Sequence, residues 1–107
     1  MPTINIEFDD KKISDEEIEA LSHAMQEIVR KITKIDDVFV YANSARIKVG
    51  VAPIEVYVRI TTSKIKDAKE LLKEIKGRVS AWKKKDGFKH KINLTLWPVD
   101  WKFEIGI

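Results

Sequence analysis

The sequence predicts an α/β (α+β) fold in which two β-α-β units form one mixed sheet that carries two helices on one face. Two long stretches have apolar residues at helical spacing, and each lies between short segments in which apolar and polar residues alternate. Because a β-α-β crossover places its two strands parallel, two such units side by side produce a single mixed sheet.

The first unit begins with TINIEF (3–8), whose strict alternation is typical of a strand with one buried face. Ser14 is predicted to open the first helix, and Glu17 three residues later completes a capping box. We expect this helix to end near 33–34, before the strand VFVYA (38–42). That strand has apolar side chains on both faces, which predicts a central position in the sheet. The helix has the apolar stripe Ile18, Leu21, Met25, Ile28, Val29 and Ile32.

The second unit follows two further alternating segments, RIKVGV (46–51) and IEVYVRI (54–60), which are both predicted as strands. Thr62 or Ser63 is expected to cap the second helix. The apolar stripe of this helix consists of Ile65, Ala68, Leu72, Ile75, Val79 and Trp82.

The end of the chain combines a basic segment with two alternating ones. KKKDGFKH (83–90) is predicted as a basic loop because it contains an Asp-Gly turn signal. INLTLW (92–97) and WKFEI (101–105) are predicted as strands.

Composition narrows the class of protein. The 107 residues, 44% apolar and 35% charged, are typical of one globular domain spanning 1–107. The absence of cysteine excludes disulfides and thiolate chemistry, and two isolated histidines, His23 and His90, do not predict a metal site. No apolar run reaches membrane-spanning length, no signal-peptide pattern precedes the first strand and cysteine is absent, so we expect a cytoplasmic protein without a membrane partner. A net charge of +3 does not favour a dedicated nucleic-acid binder.

The second face of the predicted sheet also carries aromatic residues, among them Phe39, Tyr41 and Tyr57. One layer of helices covers only one face of a sheet. The sequence therefore predicts that the other face is buried by association with further copies of the chain.

The opening stretch MPTINIEF raises two interpretations of Pro2. A proline at the start of an edge strand costs little, because its missing N–H is not needed there. If Met1 is removed, however, Pro2 becomes a free secondary amine, which is a base built into the backbone. Composition and spacing leave both interpretations open.

Several of these features together resemble the tautomerase superfamily, which includes macrophage migration inhibitory factor and 4-oxalocrotonate tautomerase. The resemblance rests on Pro2 behind Met1, the alternating first strand, SDEEIEAL (14–21) opening the first helix and the duplicated β-α-β unit. The stretch VGVAPIEVYVRI (49–60) is most similar to a branch of the superfamily catalogued as a domain of unknown function. The resemblance implies a homotrimer whose three sheets surround a central barrel.

The resemblance also implies a chemistry that needs no cofactor. Pro2 would move a proton between oxygen and carbon of a small anionic 2-oxo or 2-hydroxy acid, and a cation would hold the carboxylate of that substrate. Where 4-oxalocrotonate tautomerase has an arginine after the first strand, this chain has Lys11 and Lys12. Lys34 stands where the inhibitory-factor branch has a substrate-facing lysine. Arg46 and Arg59 are the arginines on predicted strands that could replace the missing ones, and Tyr41 is a further candidate substrate contact.

Two alternatives remain open at this point. The first is a non-catalytic homotrimer of the same fold, a binding or structural module, which the departures from the arginine pattern favour. The second is a nucleic-acid module in which Lys83, Lys84 and Lys85 contact phosphates while Phe39 and Tyr57 stack bases on an open sheet.

Overall fold

The computed structural model describes residues 2–107. It contains β1 (Thr3–Phe8), α1 (Asp15–Thr33), β2 (Phe39–Asn43), β3 (Ile54–Thr61), α2 (Ala68–Asp86) and β4 (Asn93–Val99), with a 3₁₀ turn over Thr62–Lys64 between β3 and α2. Within this described range, no helix is long and apolar enough to cross a bilayer.

The four strands form one mixed sheet in the order β2-β1-β3-β4. Each β-α-β unit has parallel strands, β1 with β2 and β3 with β4, and the two units meet where β1 runs antiparallel to β3. Both helices pack on one face of this sheet, so the predicted fold class is confirmed.

The core lies between the sheet and the two helices. Every second residue of β3 is fully buried there, as are Ile4 and Ile6 of β1, while Phe8 at the end of β1 is partly buried. On the helix side α1 contributes its predicted stripe, whereas only two residues of α2 are buried. The fully buried strand residues are Ile4, Ile6, Ile54, Val56, Val58 and Ile60.

The ends of α1 follow the sequence closely. Ser14 accepts a hydrogen bond from the backbone N–H of Glu17, and the Glu17 side chain accepts one from the Ser14 backbone, so the capping box is confirmed. The helix ends at Thr33, and Lys34 takes the left-handed conformation (φ 61°) that lets its N–H bond to the carbonyl of Arg30.

The start of α2 was placed wrongly. Asp67, and neither Thr62 nor Ser63, is the N-cap, since its carboxylate accepts the N–H groups of Lys69 and Glu70 at 3.1 and 3.2 Å. The two earlier hydroxyl residues belong to the 3₁₀ turn, which separates β3 from the helix.

The end of α2 also differs from expectation. The helix continues through Lys83–Asp86, so the lysine run forms its last turn and is not part of a loop. Gly87 (φ 77°) is the left-handed residue that ends it, because glycine adopts this conformation without a steric cost.

Two predicted strands are absent. Residues 46–51 and 101–105 have no strand partner, and the first segment contains a Gly50 with φ 60°. In that segment Lys48 bends back so that its Nζ lies 2.9 Å from Asp10 Oδ1, while Ile47 and Val49 face outward. Alternation describes which side chains share a side, but a strand also needs a neighbour that supplies its hydrogen bonds.

The prediction that β2 is a central strand was also wrong. β2 is an edge strand with β1 as its only neighbour in the described sheet. Val40 packs against the helix layer, but Phe39 is 43% and Tyr41 55% exposed on the other face. One apolar face of β2 therefore packs against the helices, while the other is left uncovered within a single chain.

Candidate functional site

Pro2 lies directly before β1 and is buried. Its carbonyl accepts a hydrogen bond from the N–H of Phe39 at 3.2 Å, which ties the start of β1 to the start of β2. We call this edge, where β1 and β2 begin and β3 and β4 end, the Pro2 end of the sheet. Met1, on whose removal the amine hypothesis depends, lies outside the described residues.

An aligned row of four side chains crosses the open sheet face at the Pro2 end. Thr3 pairs with Phe39 on one side and with Arg59 on the other, and Arg59 pairs with Trp97. In the pleat these residues alternate with the buried ones, so all four belong to the face that the helices leave uncovered. Arg59 thus lies between Thr3 and Trp97 one position from Pro2, and Phe39 lies beyond Thr3 at the other end of the row.

Arg59 is held in place by two contacts. Its Nη1 donates a hydrogen bond to the side-chain oxygen of Asn5, and its guanidinium carbon lies 4.8 Å from the ring centroid of Trp97. The stacking on the indole and the hydrogen bond to the amide both restrict the Arg59 side chain, which is otherwise flexible. The remaining N–H groups of the guanidinium are arranged in a planar fork that suits a carboxylate.

Lys34 also belongs to the Pro2 end, because α1 ends there and the chain then enters β2. Its left-handed backbone, at the helix C-cap, turns the chain toward the sheet, and its side chain is exposed. The backbone therefore brings Lys34 to the same edge of the sheet as Pro2.

Lys12 and Arg46 do not lie at this edge. Lys12 follows β1 and Arg46 follows β2, so both belong to the opposite end of the sheet. The six residues of β1 separate the two ends by about 17 Å, since a strand rises roughly 3.4 Å per residue. Within one chain, neither cation is placed to hold a substrate against Pro2.

Tyr41 lies on the open face, one row further from the Pro2 end. It pairs with Asn5 of β1, and Asn5 pairs with Tyr57 of β3. Asn5 therefore links Tyr41 to Arg59, because its side chain accepts the arginine's hydrogen bond. On the open face, the polar side chain of Asn5 therefore lies between the two tyrosines.

A pocket of about 280 Å³ lies at the end opposite Pro2, between the ends of β1 and β2 and the start of β3. Glu7, Glu55 and Lys48 contribute the charged groups of this pocket. Lys48 also donates a hydrogen bond to the nearby Asp10, and this bond lowers the pKa of the Asp10 carboxyl below its ordinary value. The pocket is lined by the third row of the open face and by the loop after β2, not by the candidate residues Pro2, Lys34 or Tyr41.

His90 has a partner that its sequence position does not reveal. Its Nε2 lies 2.6 Å from Glu17 Oε2, although the two residues are 73 positions apart. The Ser14 backbone hydrogen bond, and next the His90 contact, lower the pKa of Glu17 below its ordinary value. His23, in contrast, is exposed on α1, with its Nε2 3.9 Å from Glu19 Oε1. In residues 2–107, no three potential His, Asp or Glu ligands gather as they would around a metal ion.

The architecture, two β-α-β units with both helices on one face of a mixed sheet, defines a tautomerase/MIF-like α+β fold. Comparison of the sequence itself finds no matching family model and no curated protein with a significant match. The similarity to known proteins is therefore one of structure.

Three solved structures illustrate this similarity. MIF2 of Leishmania major superposes with a TM-score of 0.65 at 17% identity, covering 99% of this chain and 95% of that one. A domain of unknown function, DUF1904, from Sebaldella termitidis gives a TM-score of 0.65 at 14% identity, covering 100% and 98%. The F6 fused 4-OT asymmetric trimer gives a TM-score of 0.65 at 9% identity, covering 94% and 91%. At these identities the likeness establishes the fold.

Proposed function

We propose that this protein is a cofactor-independent tautomerase that moves a proton between oxygen and carbon of a small 2-oxo or 2-hydroxy acid. The observation that carries the proposal is the buried Pro2 at the start of β1, one position from the row that contains the ordered Arg59. Because a fold hosts many activities, the proposal rests on these residues, and the tautomerase/MIF-like fold supports it.

Pro2 is proposed as the acid/base after removal of Met1. The nitrogen of an internal proline is part of an amide and carries no proton, so it has no such role. A free secondary amine takes the hydroxyl proton of an enol and, now protonated, delivers a proton to the carbon of the double bond, so that the keto acid forms. Over the cycle the amine gains one proton and returns one, so no cofactor is consumed.

Arg59 is proposed as the group that binds the substrate carboxylate. A carboxylate that accepts two hydrogen bonds from a guanidinium is held in one plane, which fixes the rest of a small acid relative to the amine. Trp97, its neighbour in the row, supplies apolar surface on one side, and Phe39, beyond Thr3, supplies apolar surface at the other end of the row. Lys34 is the second cation at this edge, and an exposed lysine adds charge without the same directional constraint.

We further propose that the chain forms a homo-oligomer through its open sheet face, and that this oligomer is a trimer. All nine large apolar side chains that are exposed in residues 2–107 lie on the open face, the loop after β2 or the C-terminal segment, and none on a helix. Such one-sided exposure is typical of an interaction surface. The likeness to the fused 4-OT trimer favours three copies.

The test begins with the intact mass of the protein, which must be one methionine residue short for Pro2 to be an amine. On such protein, Pro2→Ala is compared with Pro53→Ala, which changes the proline just before β3, at the end of the sheet away from Pro2. With an enolpyruvate substrate we expect Pro2→Ala to lose at least about tenfold in kcat, since general acid/base groups contribute roughly 10²–10⁴-fold. Pro53→Ala should retain the parental rate.

Arg59→Lys tests the carboxylate-binding role, with Arg46→Lys at the far end of the sheet as its matched control. We expect Arg59→Lys to raise KM about tenfold or more because lysine lacks the bidentate fork, while Arg46→Lys leaves KM unchanged. Equal rates for parent and Pro2→Ala would refute the mechanism, and equal effects of the two arginine changes would refute the assigned anion site.

The alternative function is a non-catalytic oligomeric binding or structural module. The observation that favours it is the placement of Lys12 and Arg46 at the end of the sheet away from Pro2. If protein from the native source keeps Met1 and no enolpyruvate is turned over, this alternative replaces the tautomerase proposal.

A further inference from the structure

The charge of this protein is unevenly distributed between its surfaces. Residues 66–91, which contain α2 and the following loop, hold ten Lys and Arg against four Asp and Glu, whereas the whole chain has a net charge of only +3. The rest of the chain is therefore net acidic. A near-balanced total conceals a strongly basic segment, and such asymmetry is a feature of polyanion-binding proteins.

Helix geometry gathers much of this charge on one face of α2. At 3.6 residues per turn, positions 69, 73, 76, 80, 83 and 84 fall within about 100° of the helix circumference. We define the lysine track as the five lysines at these positions together with Lys89 in the following loop. These lysines are exposed except Lys83, which is partly buried, and the track extends about 22 Å along α2 at 1.5 Å per residue. The track consists of Lys69, Lys73, Lys76, Lys83, Lys84 and Lys89.

The acidic residues of α2 lie on other faces. Glu74 pairs with Arg78 at 3.5 Å on the opposite side from the track. Among the residues that the structure describes, none of the six track lysines has a carboxylate within 4.0 Å. Their charges are therefore not neutralised within the chain, which costs free energy through mutual repulsion unless an external anion is present.

A groove accompanies the track. Two adjoining pockets of about 130 and 380 Å³ share Ser80 and Lys83 as lining residues. One side of this groove is formed by α2, and the other by Ile92 and Leu94 at the start of β4 and by Phe88 and Lys89 in the loop. An extended anionic chain lying along the track would have a hydroxyl donor, Ser80, between the lysines.

We propose that the lysine track binds the phosphate backbone of duplex nucleic acid without reading its sequence. The track offers charge at nearly every helical turn, which suits a partner with regularly repeated charges. Residues 66–91 contain no Asn or Gln for base edges, and the one arginine, Arg78, belongs to the other face. No large apolar side chain of this segment is exposed, so neither base stacking nor insertion into a bilayer is available.

The track lies on the helix layer, opposite the open sheet face. An oligomer formed through that face would leave the track accessible and would present several copies of it. The inference is independent of the chemistry at Pro2, and it concerns residues that the proposed site does not use.

The test measures binding to a 20-base-pair duplex of random sequence by fluorescence anisotropy at several salt concentrations. We expect affinity to fall steeply with salt and to be the same for unrelated sequences. The variant Lys73→Gln/Lys76→Gln/Lys83→Gln should bind more weakly, with a log–log salt slope shallower by about 0.9 for each lysine that contacts a phosphate. The variant with arginine at the same three positions should bind as the parent does because it keeps the charge, and a parental unfolding midpoint for the glutamine variant excludes a folding defect.

The matched control is Lys11→Gln/Lys31→Gln/Lys64→Gln, which removes the same net charge from exposed lysines outside the track. It should retain the parental affinity and slope. Absence of duplex binding at low salt, or equal weakening by both triple variants, would overturn the proposal. Equal or tighter binding to a polyglutamate peptide or to vesicles containing phosphatidylserine would also overturn it, in favour of an acidic protein or a membrane.

Discussion

Glu17 shows how one side chain serves two parts of the molecule. It completes the capping box of α1 and also accepts the contact from His90, which lies in the loop between α2 and β4. His90 in turn packs edge-on against the buried Phe88, with ring centroids 5.3 Å apart. The contact therefore joins the start of α1 to the loop that follows α2.

The lowered pKa of Glu17 predicts a pH dependence of stability. A carboxyl whose pKa is lower in the folded state than its ordinary 4.5 stabilises the fold above that value, and the contribution is lost as pH falls through the lowered pKa. Glu17→Gln keeps a capping-box acceptor but removes the charge. We expect the parent to have the higher Tm at pH 6 and the difference to disappear in acid, measured by thermal unfolding between pH 6 and pH 2.5.

Glu19→Gln is the control for this measurement. It removes a carboxylate from the same helix, but at an exposed position where the His23 Nε2 lies 3.9 Å away. Its Tm should follow the parental pH profile. A Glu17→Gln variant that differs from the parent by the same amount at every pH would contradict the assigned linkage.

Among the elements, the two helices differ in how their starts are encoded. The capping box of α1 satisfies the backbone from both directions, whereas α2 relies on one aspartate, Asp67, that follows a 3₁₀ turn. The apolar stripe of α2 is also thinner, with two buried residues against five in α1. The stability of α2 therefore depends more on its cap and less on burial.

This difference predicts the effect of two similar substitutions. Asp67→Ala should lower the free energy of unfolding by about 1 kcal/mol, because two N–H groups lose their acceptor. Ser63→Ala, in the exposed 3₁₀ turn, should change it by less than about 0.5 kcal/mol. Chemical denaturation of both variants checks this, and a larger loss for Ser63→Ala would place the cap where the sequence predicted it.

At the scale of the whole molecule, apolar and charged surfaces are separated. The open sheet face and the segments around it carry the exposed apolar side chains, whereas the helix layer is polar. The two surfaces therefore suit different partners, copies of the same chain on one side and, as we infer, a polyanion on the other.

This separation predicts which substitution weakens assembly. Tyr41, 55% exposed on the open face, would be buried in the proposed oligomer, so Tyr41→Asp should shift the mass from light scattering toward the monomer. Ala81→Asp, on the exposed surface of α2, should leave the mass unchanged. A monomeric mass for the parent at micromolar concentration would contradict the oligomer itself.

The sequence by itself determined the elements whose signals are local. Alternation in β1 and β3 and the capping box of α1 depend on neighbours a few residues apart, so they could be recognised directly. The duplicated β-α-β order then predicts the fold class, and the position of Pro2 behind Met1 is enough to make it a candidate base.

Only the tertiary structure decided what depends on residues distant in the chain. Strand order made β2 an edge strand, and the absence of neighbours left 46–51 and 101–105 without strands. The register of β1 with β3 placed Arg59 beside the start of β1 while Lys12 and Arg46 fell at the far end. Sequence patterns report which side of an element a residue occupies, but pairing between elements decides which side chains meet.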